Sequence, residues 1–229
     1  MNFKTRTTEL YRRAIDEFVN CAEFKALESG NARRCDYDRF IVNFLRTHLR
    51  SQQLLAFLFS IAPPEASNLA RQRIIDELGP HGTSLLHKLA DGASLSPLMV
   101  DLEDQAVEDV RRIVVDPMLY PSLREVAFGA LVEFEAFQYF LSRVGGRIAG
   151  ALTLHRKLSP AAVMWFSRFN RINLEQSFTM LEDYLGYYEI RPDHAQTIAE
   201  ITLRENVFIK RYFGFNSFGE PISNEAYRG

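Results

Sequence analysis

Apolar residues recur along this chain at intervals of three and four rather than two, the spacing of one face of an α-helix. Between residues 5 and 28, Leu10, Ala14, Phe18, Cys21 and Leu27 keep that rhythm, and SGNARRCDYD then reads as a loop. The run DRFIVNFLRTHLRSQQLLAFLFSI predicts a long apolar helix over 38–61, stopped by Pro63-Pro64. A helix over 66–78 closes at Gly79, and another runs from Pro80, a favoured first-turn residue, to about Ala90. One or two shorter helices are expected over 96–115. A strongly apolar one is expected over 121–144, terminated by Gly145-Gly146 and followed by a short helix. Ser159-Pro160 caps a further helix to about Arg171. The spacing predicts others over 173–185, up to Gly186, and from near Pro192 to Tyr212.

Strict alternation and β-branched runs are scarce, and no internal repeat, low-complexity segment or linker interrupts the pattern. The expectation is an all-α fold: one domain over 1–212, a bundle of eight to ten helices, with a turn-rich tail over 213–229.

Composition narrows the functions. With 47% hydrophobic residues and 12% aromatic ones, a core is available and disorder is not expected. A net charge of −2 without a basic block lacks the footprint of a nucleic-acid binder. The charged, amphipathic start, MNFKTRTTELYRRAIDEF, does not read as a signal peptide, and no apolar run is long enough for a membrane span. The two cysteines, Cys21 and Cys35, lack metal-type spacing, and a reduced, cytoplasmic protein is expected. Phosphate loops, nucleophile elbows and dinucleotide fingerprints are missing.

What remains is a scatter of acids and histidines on helices, the raw material of a metal site in a bundle interior. Glu77 ends one helix beside a Gly79-Pro80 break. His81 and His87 follow it, although the chain has five histidines in all. His87 neighbours Leu85, Leu86 and Leu89; His81 reads as a helix-start residue. An isolated histidine among leucines also fits a hydrogen-bonded structural role. Glu133 shares a face with Val126, Ala130, Phe137 and Phe140, and Glu135 with Phe128, Leu131, Val132 and Tyr139. The two point about 200° apart, so at most one is expected to face the interior comfortably. Its partner is then a cation, either a metal or an arginine. The segment YLGYYEIRPDHAQTIAEI adds Tyr187, Arg191 and Asp193, the last a natural first-turn acid, together with His194 beside Ala195, Ile198 and Ile201.

Taken together, these motifs resemble the heme-oxygenase-like superfamily, in the branch of iron-containing redox enzymes, thiaminase II and pyrroloquinoline-quinone synthase. The likeness spans roughly residues 40 to 205. It rests on Asn68, Asp76-Glu77-Leu78-Gly79, His87 and Leu89, then on GALVEFEAF, then on YYEIRPDHA. The family's last motif is His-x-x-x-Asp-x-x-His; with His194 as its final histidine, Tyr187 and Arg191 stand where the family has His and Asp. The resemblance implies a non-heme Fe(II) oxidase or oxygenase with one or two iron ions and O₂ as co-substrate. Its ligands would be His87, His194 and Glu133 or Glu135, with Glu77 as a further ligand or base. The substrate would be a small, amino-acid-like organic molecule, undergoing N-oxygenation, desaturation or oxidative C–C cleavage. Its carboxylate would meet Arg191, Arg147 or Arg143, and the resemblance leaves room for a homodimer. Two other readings stand beside it. One is a metal-free enzyme of the same fold, with Tyr187 and Arg191 in its pocket. The other is a non-catalytic helical binding protein.

Overall fold

The computed structural model describes residues 2–115, 122–171 and 174–214, and among these the regular structure is helical throughout. The first helices are α1 (Phe3–Asn20), α2 (Ala22–Ser29), α3 (Arg34–Leu49), α4 (Ser51–Ser60), α5 (Pro64–Leu78) and α6 (Ser84–Ala93). A single 3-10 turn, Ser96–Leu98, leads into α7 (Met99–Val115), and the long α8 (Leu123–Leu154) follows. A 3-10 segment, Met164–Arg171, then precedes α9 (Leu174–Tyr187), α10 (Pro192–Leu203) and α11 (Val207–Phe213). Only Arg50 separates α3 from α4. Counted as one bent rod, they leave ten helices among the described residues, within the range the pattern predicts. Most of the expected tail, 215–229, lies outside the described residues.

Boundaries moved where side chains outvote local punctuation. The helix expected over 5–28 breaks at Cys21, which is extended (φ −66°, ψ 153°) and ends α1 while its Sγ accepts from the Phe24 N–H that begins α2. The expected loop shortens because Asp36 accepts from the Arg33 N–H and guanidinium, starting α3 early. Gly145-Gly146 does not stop α8. Glycine in a helix costs only about 1 kcal/mol, and beyond it Ile148, Ala151 and Leu152 continue the buried stripe. The expected last helix splits at Glu205 and Asn206, both left-handed. Asn206 makes the break worthwhile: its Oδ1 accepts from Ile209 N–H to cap α11, and its Nδ2 donates to the carbonyl of Ala14 on α1 at 2.7 Å.

The core is organised around α8. Every residue from Glu125 through Phe137 is buried, the sign of a helix surrounded on all sides rather than packed on one face. Helices α1, α2, α4, α7, α9 and α10 and the 3-10 segment 164–171 all lie against it. This arrangement corrects the expectation that at most one of Glu133 and Glu135 faces the interior: α8 has no outward face there, and both are buried. One side of the core is an aromatic cluster in which Phe140 stacks on Phe208 (centroids 4.4 Å apart) and meets Phe18 edge-on (4.7 Å). Among the described residues, no helix is long and apolar enough to cross a membrane.

Phe140 is fully buried between α1 and α11. Phe140→Ala is expected to lower the unfolding free energy by about 3–5 kcal/mol, read from urea unfolding followed by far-UV circular dichroism, with the slope unchanged.

Candidate functional site

The bend between α3 and α4 builds a polar centre inside an apolar bundle. Arg50 sits at the bend with helical dihedrals (φ −73°, ψ −10°), its Nε donating to the carbonyl of Thr47 at 3.1 Å. It is only 2% exposed. A buried guanidinium requires an anion, and α8 supplies one: Arg50 Nη2 donates to Glu133 Oε1 at 2.5 Å. The same oxygen accepts from Arg211 Nη2 of α11 at 3.0 Å. Burial by itself would raise the Glu133 carboxyl. Arg50 and Arg211 outweigh it and hold the group down at about 2.

Glu77 reaches the same centre from the last turn of α5. Its Oε1 accepts from Ser51 Oγ at 2.6 Å and, more weakly, from Thr83 Oγ1 at 3.4 Å. Its Oε2 accepts from Arg168 Nη2 at 2.7 Å. Arg168 in turn lies over the rings of Trp165 and Phe169, at 5.6 and 5.4 Å from their centroids, a favourable cation–π arrangement. The chain folds tightly under Glu77, whose carbonyl accepts from Thr83 N–H. A Cβ at Gly82 would stand 1.7 Å from that carbonyl oxygen, so only glycine fits there.

His48, two residues before the bend, faces the same interior. Its Nε2 is 2.7 Å from the Tyr212 hydroxyl. Burial, reinforced by Arg50, Arg168 and Arg211, keeps its pKa well below the usual imidazole range, so the ring is neutral at physiological pH. His48, Arg50, Ser51, Glu77 and Trp165 line one cavity of about 20 Å³, with Phe134, Phe137 and Phe169 completing its wall. That is room for about one water molecule. Glu77 is also part of the wall of a wider surface basin of about 620 Å³, which Gln52, Thr83, His87 and Glu103 help to line. Glu77 therefore borders both spaces.

The residues singled out from the sequence fall in several places. Glu77 and Glu133 belong to this centre, each held by arginine. Glu135 lies elsewhere on α8, with Oε1 3.6 Å from Arg73 Nη2. Burial outweighs Arg73 and Ser177 there and pushes its carboxyl up. His87 shares the outer basin with Glu77, but it is half-exposed, with Nε2 3.0 Å from Glu103. His81 is exposed in the turn before α6, which begins at Ser84 rather than at Pro80 as expected, so it does not start a helix. His194 and Arg191 share a separate surface pocket beside Arg124 and Glu189, where His194 Nε2 is 2.5 Å from Glu125 Oε1. Tyr187 is exposed and leans edge-on against Tyr188. Arg147 pairs with Glu28, and Arg143 lies over the Tyr139 ring.

The residues of the iron set implied by the resemblance lie apart: His87 at the outer basin, His194 beside Glu125, and Glu133 between Arg50 and Arg211. Among the described residues, no three of His, Cys, Asp and Glu gather as a metal ion requires. Glu77 and Glu133 give their lone pairs to guanidinium groups instead. The members that sequence reasoning passed over are His48, Arg50, Trp165, Arg168 and Tyr212. A signal for two of them was present: His48 and Arg50 lie between the apolar stretches FIVNFL and LLAFLF of a single expected helix. Compared with known proteins, the chain matches no family model and no curated protein.

Two outcomes are expected. The Glu133 carboxyl titrates at about 2 in the fold against an ordinary 4.5. Its contribution is therefore complete above pH 4.5 and is lost as pH falls toward 2. Glu133→Gln, which leaves two buried arginines under-compensated, is expected to cost about 3–5 kcal/mol at pH 7. The cost should shrink as pH falls below 4, checked by urea unfolding across that range. Gly82→Ala must push the Glu77 backbone aside. A loss of more than about 1 kcal/mol is expected, against a gain of up to about 1 kcal/mol for Gly146→Ala, a helical position where an added Cβ meets nothing.

Proposed function

We propose that the chain is an enzyme acting on a small organic molecule at the α3–α4 bend, with protein acid–base groups rather than an iron centre doing the chemistry. The observation that carries this reading is the buried His48–Tyr212 pair, set beside a cage of arginines at one cavity. A neutral imidazole has a lone pair to accept a proton. The arginines that weaken this base also stabilise the anion the transfer leaves, and the chemistry rests on that second effect. In the tautomer whose Nε2–H donates to the Tyr212 oxygen, Nδ1 keeps a free lone pair. His48 would take a proton from the bound substrate through that atom. The positive field of Arg50, Arg168 and Arg211 would stabilise the anion left behind.

This is the metal-free alternative left open by the sequence, moved from Tyr187 and Arg191 to the bundle interior. An anion formed this way is also the kind of substrate that reduces O₂ directly, the chemistry the resemblance attaches to the quinone-synthase branch. The iron-dependent reading lacks this support, since its acids are engaged by arginine.

The test is a panel of small organic acids and aromatic metabolites supplied to exhaustively chelated protein. O₂ consumption and product formation would be followed. Turnover is expected to survive chelation and to fall about 10²–10⁴-fold in His48→Phe. Activity that disappears on chelation and returns with Fe(II) would overturn the proposal. So would turnover indifferent to His48.

A further inference from the structure

The centre at the α3–α4 bend is out of balance. Three of its side chains are cationic (Arg50, Arg168, Arg211) and two anionic (Glu77, Glu133), which leaves one positive charge in excess. Both carboxylates are engaged: Glu133 by two guanidinium groups, Glu77 by Ser51 and Arg168. The donors are not used up. Arg50 Nη1, Arg168 Nη1 and Trp165 Nε1 are all shielded from solvent and have no hydrogen-bond partner. Arg50 and Trp165 line the cavity, and Arg168 packs on the Trp165 ring and holds Glu77, another lining residue. A buried donor without a partner costs about 1–3 kcal/mol, more when charged. Leaving two of them at the cavity beside an excess positive charge is a cost that an anion would remove.

We infer that this cavity takes the carboxylate head of a small organic acid, with Arg50 and Trp165 as its donors and Arg168 adding positive charge from behind Trp165 and Glu77. The inference rests on the cavity being the substrate site, as proposed above, and names the substrate class. The space of about 20 Å³ has room for one water-sized group, so it would take one carboxylate oxygen, and the rest of the head would need the room that the Glu77 side chain now fills. The rest of the acid would extend past Glu77 into the 620 Å³ basin that Glu77 also borders. A planar, two-oxygen anion suits N–H donors on guanidinium forks better than a spherical ion does. To admit it, the Glu77 side chain would swing toward the basin, where Thr83 and Gln52 offer polar partners.

Trp165 is the chain's single tryptophan, so the site carries its own reporter. Titration with formate, acetate, propionate and benzoate is expected to change its fluorescence saturably. Acetamide and benzamide, of matching shape without charge, should not. Sodium chloride at equal ionic strength should bind at least about tenfold more weakly than acetate. Arg168→Gln should weaken acetate at least about tenfold. If that variant does not fold by circular dichroism, the carboxylate–amide comparison in the unaltered protein decides alone. Equal responses to acetate and acetamide, equal binding of chloride, or no saturation with any acid would overturn the inference. The two proposals fail separately. Carboxylate binding without turnover removes the enzymatic reading and leaves the site. Turnover of a neutral substrate with no carboxylate response does the reverse.

Discussion

The placement of Glu133 between Arg50 and Arg211 is the constraint on which the interior of this bundle depends. An ionised carboxylate at the middle of the most deeply buried helix is costly unless matched, and a single guanidinium would not complete its hydrogen bonding. The match draws on three elements distant in sequence: the bend between α3 and α4, the centre of α8, and α11 near the end of the described chain. Each arginine needs the acid, and the acid needs both. Because Arg50 must point inward, the helical rod bends there, which also turns Ser51 toward Glu77 and leaves His48 inside. The α5 terminus, the Gly82 turn and the 3-10 segment carrying Trp165 and Arg168 then close around the same point.

This explains the character of the site. Charged groups in a low-dielectric interior interact strongly and reorganise little. His48 is held neutral, Glu133 ionised, and the remaining guanidinium donors fixed without partners. Each is a property of the position rather than of the residue type. Glu135, two residues from Glu133 on the same helix, shows the contrast. It has one arginine at 3.6 Å instead of two in hydrogen-bond contact, and burial pushes it in the opposite direction. The environment alone separates the two acids.

Of the residues singled out from sequence, Glu77 and Glu133 lie at the buried centre, and arginines determine how they are held. Glu77 and Glu133 stood out because acids in apolar helices demand explanation, and the structure gives one for both. His87 and His194 drew attention for their leucine, isoleucine and alanine neighbours, yet each lies on the polar side of its helix with a carboxylate beside it. A run of apolar neighbours in sequence wraps around a helix, so it does not say which way the histidine points. Arg50 and Arg168 went unread for a related reason. Arginine is so often exposed that a lone one in a helical run attracts no attention, and only the tertiary fold shows that Arg50 is buried and Arg168 mostly covered.

What the sequence determined by itself was the helical character of the chain. Periodicity, proline positions and the apolar run of α8 depend on neighbours a few residues apart, and local spacing carries that information. It also contained the demand for a buried partner to Glu133. It could not say which cation would answer, because Arg50 and Arg211 lie 83 and 78 residues away along the chain. Nor could it show that Gly145-Gly146 would be passed through, or that Asn206 would break a helix to tie α11 to α1. Those outcomes, and the gathering of His48, Glu77, Trp165 and Arg168 around one cavity, were decided by packing around α8. Burying a continuous stripe and pairing buried charge outweighed the roughly 1 kcal/mol preferences of individual residues.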